Sequence, residues 1–249
     1  MPNTYVPAVF EYDVTDSTNT RAREYAANSD NPALPALFIA AEQTAGRGRL
    51  GRNFYSPAAV GLYASLLFEA PQNEDRILSL TSLAAVAALE DIEERFGIKL
   101  GIKWVNDLYL QKRKVAGILA ESFMHREQRY IVLGIGINLS TEKFPDEISD
   151  KAGSLGLDNL KKDTLRELAF GIFSRFLALL EANNVSKAMH TYRENSIVLG
   201  QRISFVKDGE QWQATALDVT DSGALLVKFD SGEDLLISTG EISIFLEDK

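Results

Sequence analysis

Residues 44–52 read TAGRGRLGR, a run in which arginines alternate with glycines and no acidic residue occurs. Glycine lets a backbone approach a ligand closely, and guanidinium groups bind phosphate or carboxylate oxygens in pairs. Gly46, Gly48 and Gly51 also satisfy the G-x-G-x-x-G pattern, which requires a helix directly after the glycines in dinucleotide-binding folds. The next residues, NFYSPAAVGLYASLLF, instead predict a loop and a strand. This Arg-Gly loop therefore favours binding of an anionic ligand over a Rossmann fold, with a solvated turn as the alternative.

The segments on either side of the Arg-Gly loop predict a sheet with helices around it. Residues 16–19, DSTN, predict the start of a short helix that ends near Asn28, and they either only cap this helix or also bind a ligand. Residues 37–43 predict a buried strand that leads into the loop. Residues 62–68 predict a second strand, and residues 77–96 have the apolar spacing of a long helix that is closed by Gly97.

The remainder of the chain predicts a meander, two helices and a separate group of short strands. The predicted meander strands are 102–110, 114–123 and 130–139, and the predicted helices after the loop 140–160 are 164–183 and 185–195. The predicted short strands are 202–207, 211–217, 225–229, 235–238 and 242–245, which suggest a small barrel. We therefore expect an α+β fold with one domain over residues 1–197 and a second over residues 198–249.

The composition excludes several classes of site. The chain has 249 residues, is 45% hydrophobic and lacks cysteine, which excludes disulfides, thiolate catalysis and cysteine zinc sites. The two histidines, His125 and His190, do not have metal-ligand spacing, so we assign no metal site. Neither a signal peptide nor an apolar run of about 20 residues is evident, and we expect a cytoplasmic protein without a membrane partner.

The charge distribution predicts a focused site for a small anion. A net charge of −9 opposes nonspecific binding to nucleic acid, and we expect no nucleic-acid partner. Against this background the Arg-Gly loop is basic, and so is the segment 103–114. The second segment contains one acid, Asp107, and the cations Lys103, Lys112, Arg113 and Lys114.

Four blocks of sequence together resemble the biotin protein ligases. The blocks are DSTN at 16–19, EQTAGRGRLGRNFYSP at 42–57, KWVNDLYLQKRKVAGILAE at 103–121 and GIGINL at 134–139. The resemblance implies a mixed sheet flanked by helices, similar to the core of class II synthetases, followed by a small SH3-like β-barrel. It also implies a ligase that forms biotinoyl-5′-AMP from biotin and ATP, with Mg²⁺ expected alongside ATP. The biotinoyl group then passes to a lysine of a biotin carboxyl carrier protein, and we expect the ligase to be a monomer or a homodimer.

The resemblance also assigns roles to particular residues. Lys114 is the expected principal catalytic cation, assisted by Arg47 and Arg49; a solvated turn lysine is the alternative without the surrounding motif. The biotin-binding residues expected from the match are Ser17, Thr18, Asn19, Gln43, Gly46, Arg47, Lys114, Gly117, Ile118, Gly134 and Gly136. The nucleotide-binding residues expected are Arg49, Arg52, Lys103, Trp104, Asn106, Asp107 and Asn138.

Several of these roles have an alternative. Asp107 either faces the nucleotide or accepts a proton from the carrier lysine. Trp104 either stacks on a ligand or packs in the core. Gly134 and Gly136 either admit the biotin ring beside the backbone or mark a β-bulge.

Three other functions compete with biotin ligation. A lipoate ligase would use a similar fold, but the glycine run followed by His-Asp that such ligases carry is not found. A biotin-responsive repressor would need a helix-turn-helix domain of about 50 residues, whereas 15 residues precede Asp16. A module that only holds biotin would not require both basic segments.

Overall fold

The computed structural model describes residues 8–181 and 185–244, which form two β-sheets and the helices around them. The first sheet contains β1 (Ala8–Thr15), β2 (Ala36–Gln43), β3 (Gly61–Glu69), β4 (Gly101–Lys103), β5 (Asp107–Leu110), β6 (Arg113–His125) and β7 (Gln128–Asn138). The helices are α1 (Thr18–Ala27), α2 (Glu74–Phe96), α3 (Asp146–Ser149), α4 (Lys162–Glu181) and α5 (Val185–Glu194). The second sheet contains β8 (Arg202–Lys207), β9 (Glu210–Val219), β10 (Leu225–Lys228), β11 (Asp234–Ile237) and β12 (Ile242–Ile244).

The first sheet is mixed and has the strand order β1-β2-β3-β7-β6-β5-β4. β1 runs parallel to β2, and every other neighbouring pair is antiparallel. β3 and β7 lie in the centre and are buried along almost their whole length. Strands buried on both faces read as continuous apolar runs, as the sequence of β3, GLYASLLFE, does.

Helices cover the two faces of the sheet unequally. α2 places apolar side chains such as Leu80, Leu83 and Ala87 at helical spacing toward the main core, together with α4 and α5. The positive φ of Gly97 ends α2. On the opposite face the short helix α1 packs against β2, β3 and β7 around a smaller cluster that includes Phe38 and Leu67. Because α1 covers only part of this face, the neighbouring part of the sheet is available for a ligand site.

The second sheet is antiparallel and has the strand order β11-β10-β9-β8-β12. It joins the first sheet through a shared apolar core and a side-chain hydrogen bond. One continuous apolar cluster contains residues of both sheets, such as Ile102 of β4 and Ile203 of β8, together with Val105 of the turn between β4 and β5. The indole Nε1 of Trp104 donates a hydrogen bond to the carbonyl oxygen of Gly223 at 2.9 Å. These contacts fix the second sheet beside the turn between β4 and β5.

The predicted fold class is confirmed, and most predicted elements are found close to their expected positions. The helices after residues 16–19 and at residues 77–96, the meander and all five short strands are present. A single 3₁₀ turn at Arg49–Gly51 follows the first glycines. The next element is the strand β3, so the long helix that a Rossmann fold requires is not found at this point. Parts of two predictions lie outside the described residues: the end of the predicted helix at residues 182 and 183, and residue 245.

Two predictions of secondary structure need correction. The segment 102–110 is not one strand, because residues 104–106 form the turn of a hairpin between β4 and β5. Trp104 and Val105 are buried in this turn. Their apolar side chains therefore continue the apolar pattern that predicted a single strand. Residues 8–15, for which no element is predicted from the sequence, form the edge strand β1.

No helix in the described ranges, 8–181 and 185–244, is long and apolar enough to cross a membrane.

Candidate active site

A cavity of about 470 Å³ opens on the face of the first sheet that α1 covers only in part. This volume lies in the range of ligand pockets. All the predicted site residues except Gly46 line it. Gly46 is a buried residue of the loop itself. A Cβ there would meet the carbonyl oxygen of Phe54 at 2.4 Å, so this glycine serves the packing of the loop. The sequence motifs, which are far apart in the chain, therefore meet in one place.

The register of the sheet gives the cavity a flat floor. Tyr63 pairs with Gly136, and Gly136 pairs with Gly117, so these residues present the same face in one row across the strands. The Phe54 ring lies on this row, since a Cβ at Gly136 would be 2.4 Å from the ring and one at Gly117 would be 3.4 Å from it. A Cβ at Gly134 would be 2.2 Å from Asn19 Oδ1. The glycines admit protein side chains at these points, and their predicted contact with a biotin ring stays a prediction.

Hydroxyl and amide groups line one end of the cavity. Ser17 is the N-cap residue of α1, but its side chain makes no capping hydrogen bond. Gln43 Oε1 instead accepts a hydrogen bond from the Thr18 backbone N–H at 2.8 Å, and Gln43 Nε2 donates to Ser56 Oγ at 3.0 Å. The Asn19 amide is buried beside Ser65. The DSTN segment thus does more than cap its helix, because its side chains form a polar end of the cavity.

The three arginines of the Arg-Gly loop are held in different directions. Arg47 pairs with Glu121 of β6 at 3.0 Å. Arg49 donates to Asn106 Oδ1 at 3.1 Å and to the carbonyl oxygen of Gly240 at 2.9 Å. Arg52 pairs with Glu241, next to β12. The loop therefore bridges both sheets and carries cations along one side of the cavity.

Lys114 reaches the cavity because of an irregularity in β6. Lys114 and Gly117 are three residues apart and would point to opposite faces of a regular strand. A shift in the β5–β6 register turns the Lys114 side chain toward the face of Gly117, as β-bulges do. Lys114 Cε and Nζ lie 3.2 Å from the position of a Cβ at Gly117. Its ammonium forms an ion pair with Asp107 at 2.7 Å. A cation is thus placed directly above the glycine floor.

Further polar groups surround this cation. Burial lowers the pKa of the Lys103 ammonium, an effect that Asp107 opposes and Lys114 reinforces. An anionic ligand would favour the charged form of Lys103. Asn106 Nδ2 donates to the carbonyl oxygen of Ile118 at 2.6 Å, which leaves its oxygen to Arg49. Asn138 Nδ2 donates to the carbonyl oxygen of Gly153, and its buried Oδ1 has no hydrogen-bond partner in the described ranges.

Trp104 packs in the core. It is only 3% exposed, and its indole donates to Gly223 of the second sheet. Its alternative role, stacking on a ligand, is therefore limited to the small part of the ring that borders the cavity.

Several cavity residues were missed in the sequence analysis. Phe54 and Tyr55 follow the Arg-Gly loop, and Phe144, Ile148, Lys151 and Ala152 come from the loop region after β7. Glu241, Ile242 and Ser243 come from the second sheet. The aromatic residues next to the loop carried a local signal, whereas the others lie in segments without a recognisable motif.

A mixed sheet with a polar pocket at one end and cations at the other defines a site for a ligand with an anionic part. Residues 11–138 match the family model described as "Biotin/lipoate A/B protein ligase family". Residues 198–244 match the model described as "Biotin protein ligase C terminal domain". The chain belongs to this biotin/lipoate ligase family.

Similar proteins include a protein named only as a ligase and a protein named as a bifunctional ligase and repressor. The chain is 30% identical over 239 residues to a biotin–[acetyl-CoA-carboxylase] ligase of Paracoccus denitrificans, covering 89% of this chain and 95% of that protein. It is 40% identical over 147 residues to the bifunctional ligase/repressor BirA of Bacillus subtilis, covering 58% of this chain. That match spans 45% of the length of BirA, or about half.

A solved structure has the same fold over nearly the whole chain. The biotin protein ligase of Aquifex aeolicus in complex with biotin and ATP superposes with a TM-score of 0.80 at 27% identity. The match covers 97% of this chain and all of that one.

Proposed function

We propose that this protein attaches biotin to a lysine of a carrier protein in two steps. In the first step, the biotin carboxylate attacks the α-phosphate of ATP, which gives biotinoyl-5′-AMP and releases pyrophosphate. In the second, the carrier amine attacks the biotinoyl carbonyl, an amide forms, AMP leaves and the amine loses a proton. The relatives' names make the carrier subunit of acetyl-CoA carboxylase the first candidate for the carrier.

One observation carries this proposal. The uncharged polar groups of Ser17, Thr18 and Gln43 line the same cavity as the cations Lys114 and Arg49. A ligand with an uncharged polar head and a carboxylate that must meet a phosphate needs uncharged polar side chains and cations in the same cavity. The Phe54 ring, which also lines the cavity, suits an aliphatic chain.

The cations have a clear role in the first step. A carboxylate and a triphosphate repel each other, and fixed positive groups that stabilise the developing charge lower the barrier. Lys114 stands above the floor of the cavity, where the two anions would meet, and Arg49 and Lys103 flank the phosphate side. We assign Arg52, Asn106 and Asn138 to the nucleotide as well.

We place Asp107 close to both steps. Its carboxylate pairs with Lys114, so it helps to hold the ammonium in position. The same carboxylate is a candidate acceptor for the proton of the carrier lysine.

The described residues fit Mg²⁺ only as the partner of a nucleotide. The ranges 8–181 and 185–244 contain no group of three or more His, Cys, Asp or Glu that could hold a metal. Mg²⁺ needs only one or two carboxylates when phosphates and water complete its shell. Asp107 and Glu241 are carboxylates that line the cavity, and either would suffice.

The proposed division of the chain places catalysis in residues 1–197 and a supporting domain in residues 198–249. Glu241, Ile242 and Ser243 border the cavity, which supports a role of the second domain in closing the nucleotide side. We expect no nucleic-acid binding by this chain because its net charge is −9.

The test is exchange of labelled pyrophosphate into ATP. We expect exchange with biotin and none with lipoate or octanoate. Equal exchange with lipoate would contradict the assignment of the substrate. Biotin binding without any exchange would instead favour a non-catalytic biotin-responsive protein.

A further inference from the structure

Glu121 stands directly behind the polar end of the cavity. It lies on β6 at i+4 from Gly117 and so presents the same face as the glycine floor. Its side chain is 16% exposed. Its carboxylate contacts three side chains: Asn19 Nδ2 at 2.7 Å, Arg47 Nη2 at 3.0 Å and Arg23 Nη1 at 3.6 Å. Two of these, Asn19 and Arg47, line the cavity.

The hydroxyl protons near Asn19 define the direction of a hydrogen-bond chain. Thr18 Oγ1 and Ser65 Oγ are 2.6 Å apart, and Ser65 Oγ donates to Asn19 Oδ1 at 2.6 Å. A hydroxyl has one proton, so the Ser65 proton is used and Thr18 must donate to Ser65. The contact of Thr18 Oγ1 with Gln43 Oε1, at 3.1 Å, is the longer one and receives at most a share of this proton.

This chain requires an acceptor at its end. Asn19 Oδ1 faces Ser65, so its NH₂ group must face the other way, where Glu121 accepts at 2.7 Å. An ionised carboxylate accepts hydrogen bonds only, so it excludes the flipped orientation of the Asn19 amide. The charge of Glu121 thereby determines which groups of residues 18 and 19 are donors and which are acceptors.

The same carboxylate holds the beginning of the Arg-Gly loop. Hydrogen bonds between charged groups are the strong ones, and the Arg47–Glu121 pair lies at the edge of the sheet with one partner largely buried. Arg49 and Arg52 are tied to other parts of the protein, so Glu121 is the partner that holds the first arginine. One side chain thus joins the loop to the polar end of the cavity.

We propose that Glu121 is a positioning residue that presets the polar end of the cavity for the uncharged head of biotin. It fixes the Asn19 amide and tethers Arg47 while touching no ligand itself. This inference rests on the proposed function for the identity of the ligand, but the tether on the loop does not depend on it.

The test compares Glu121→Gln with wild type and with Glu69→Gln, an exposed glutamate at the end of β3. Glutamine has the same size, but it loses the ion pair and no longer excludes the flipped Asn19 amide. We expect the KM for biotin to rise about tenfold, as for the loss of a charge-assisted hydrogen bond. The kcat and the KM for ATP should stay within about twofold of their wild-type values. A role in folding alone would not change the KM for biotin separately from these two parameters.

A second measurement needs no ligand. Trypsin should cut after Arg47, Arg49 or Arg52 faster in Glu121→Gln than in Glu69→Gln, because the loop is released. Unchanged cleavage together with an unchanged KM for biotin would overturn the proposal. A wild-type protein without biotin-dependent exchange would contradict the proposed function, and the cleavage rates would still decide whether Glu121 holds the loop.

Discussion

At the scale of single residues, the main feature is a lysine whose position depends on a strand irregularity. Lys114 is two residues from a turn, yet it points at the floor of the cavity and is paired with Asp107. The two side chains are only 33% and 23% exposed, and a single partly exposed ion pair of this kind adds only modestly to stability. Its placement is therefore better explained by chemistry than by folding.

We expect Lys114→Ala to slow formation of biotinoyl-AMP by about two orders of magnitude, the usual effect of losing one key electrostatic stabiliser. Single-turnover adenylate formation measures this effect. Lys112→Ala is the matched control, since Lys112 is an exposed turn residue two positions away. Adenylation at a near-normal rate in Lys114→Ala would show that another cation carries the reaction.

Arg49 and Arg52 provide a second pair for comparison. Arg49 bridges Asn106 and the carbonyl oxygen of Gly240, whereas the Arg52 side chain is 67% exposed and pairs only with Glu241 in the described contacts. We expect Arg49→Ala to release preformed biotinoyl-AMP about tenfold faster or more, because a charge-assisted contact that also orders the loop is lost. Arg52→Ala should have a much smaller effect.

Stopped-flow dilution of the preformed complex gives both rates, and labelling of an unrelated protein reports the escaped adenylate. Equal release rates in the two variants would place the retention of the adenylate elsewhere.

At the scale of secondary-structure elements, the row of glycines in β6 and β7 determines the shape of the floor. The Phe54 ring lies against Gly136 so closely that no Cβ fits without movement. We expect Gly136→Ala to lower biotin affinity about tenfold, since overpacking costs about 1–3 kcal/mol. Calorimetric titration gives the affinity.

The double variant Gly136→Ala, Phe54→Ala tests the reason for this effect. If the new methyl group acts through the ring, the effect of Gly136→Ala should be much smaller in the Phe54→Ala background. Strict additivity would argue that the methyl group meets the ligand directly.

The elements that the sequence predicted are those with a local signal. The DSTN segment is a polar helix cap, the Arg-Gly loop combines charge with glycine, and the segment 103–121 combines charge, glycine and strand pattern. All three contribute residues to the cavity. β1 was missed although AVFEYDVT alternates apolar and polar residues from Phe10 onward, and its parallel pairing with β2 is not local. Glu241 and Lys151 were missed because only the tertiary fold brings them to the cavity.

At the scale of the whole molecule, the two sheets share one apolar cluster. Residues such as Val105 and Ile203 belong to the same cluster, and Trp104 donates to Gly223 across the junction. Separate domains with small polar interfaces unfold independently, whereas a shared core couples them.

We therefore expect a single unfolding transition. Calorimetry should give one peak whose van't Hoff and calorimetric enthalpies agree. The fluorescence of the two tryptophans, Trp104 at the junction and Trp212 in β9, should change together with the circular dichroism of the whole chain. Two resolved peaks would show that the second sheet melts on its own.

The Phe54 ring has a further consequence for the thermodynamics of binding. It covers the glycine floor, so part of the apolar surface there is shielded from water. A ligand that stacks on this ring, or replaces it, removes less new apolar surface from water than one entering a bare groove. Because burial of apolar surface is what makes the heat capacity of binding negative, the enthalpy of biotin binding should depend only weakly on temperature. In Phe54→Ala, which uncovers the floor, that dependence should become steeper.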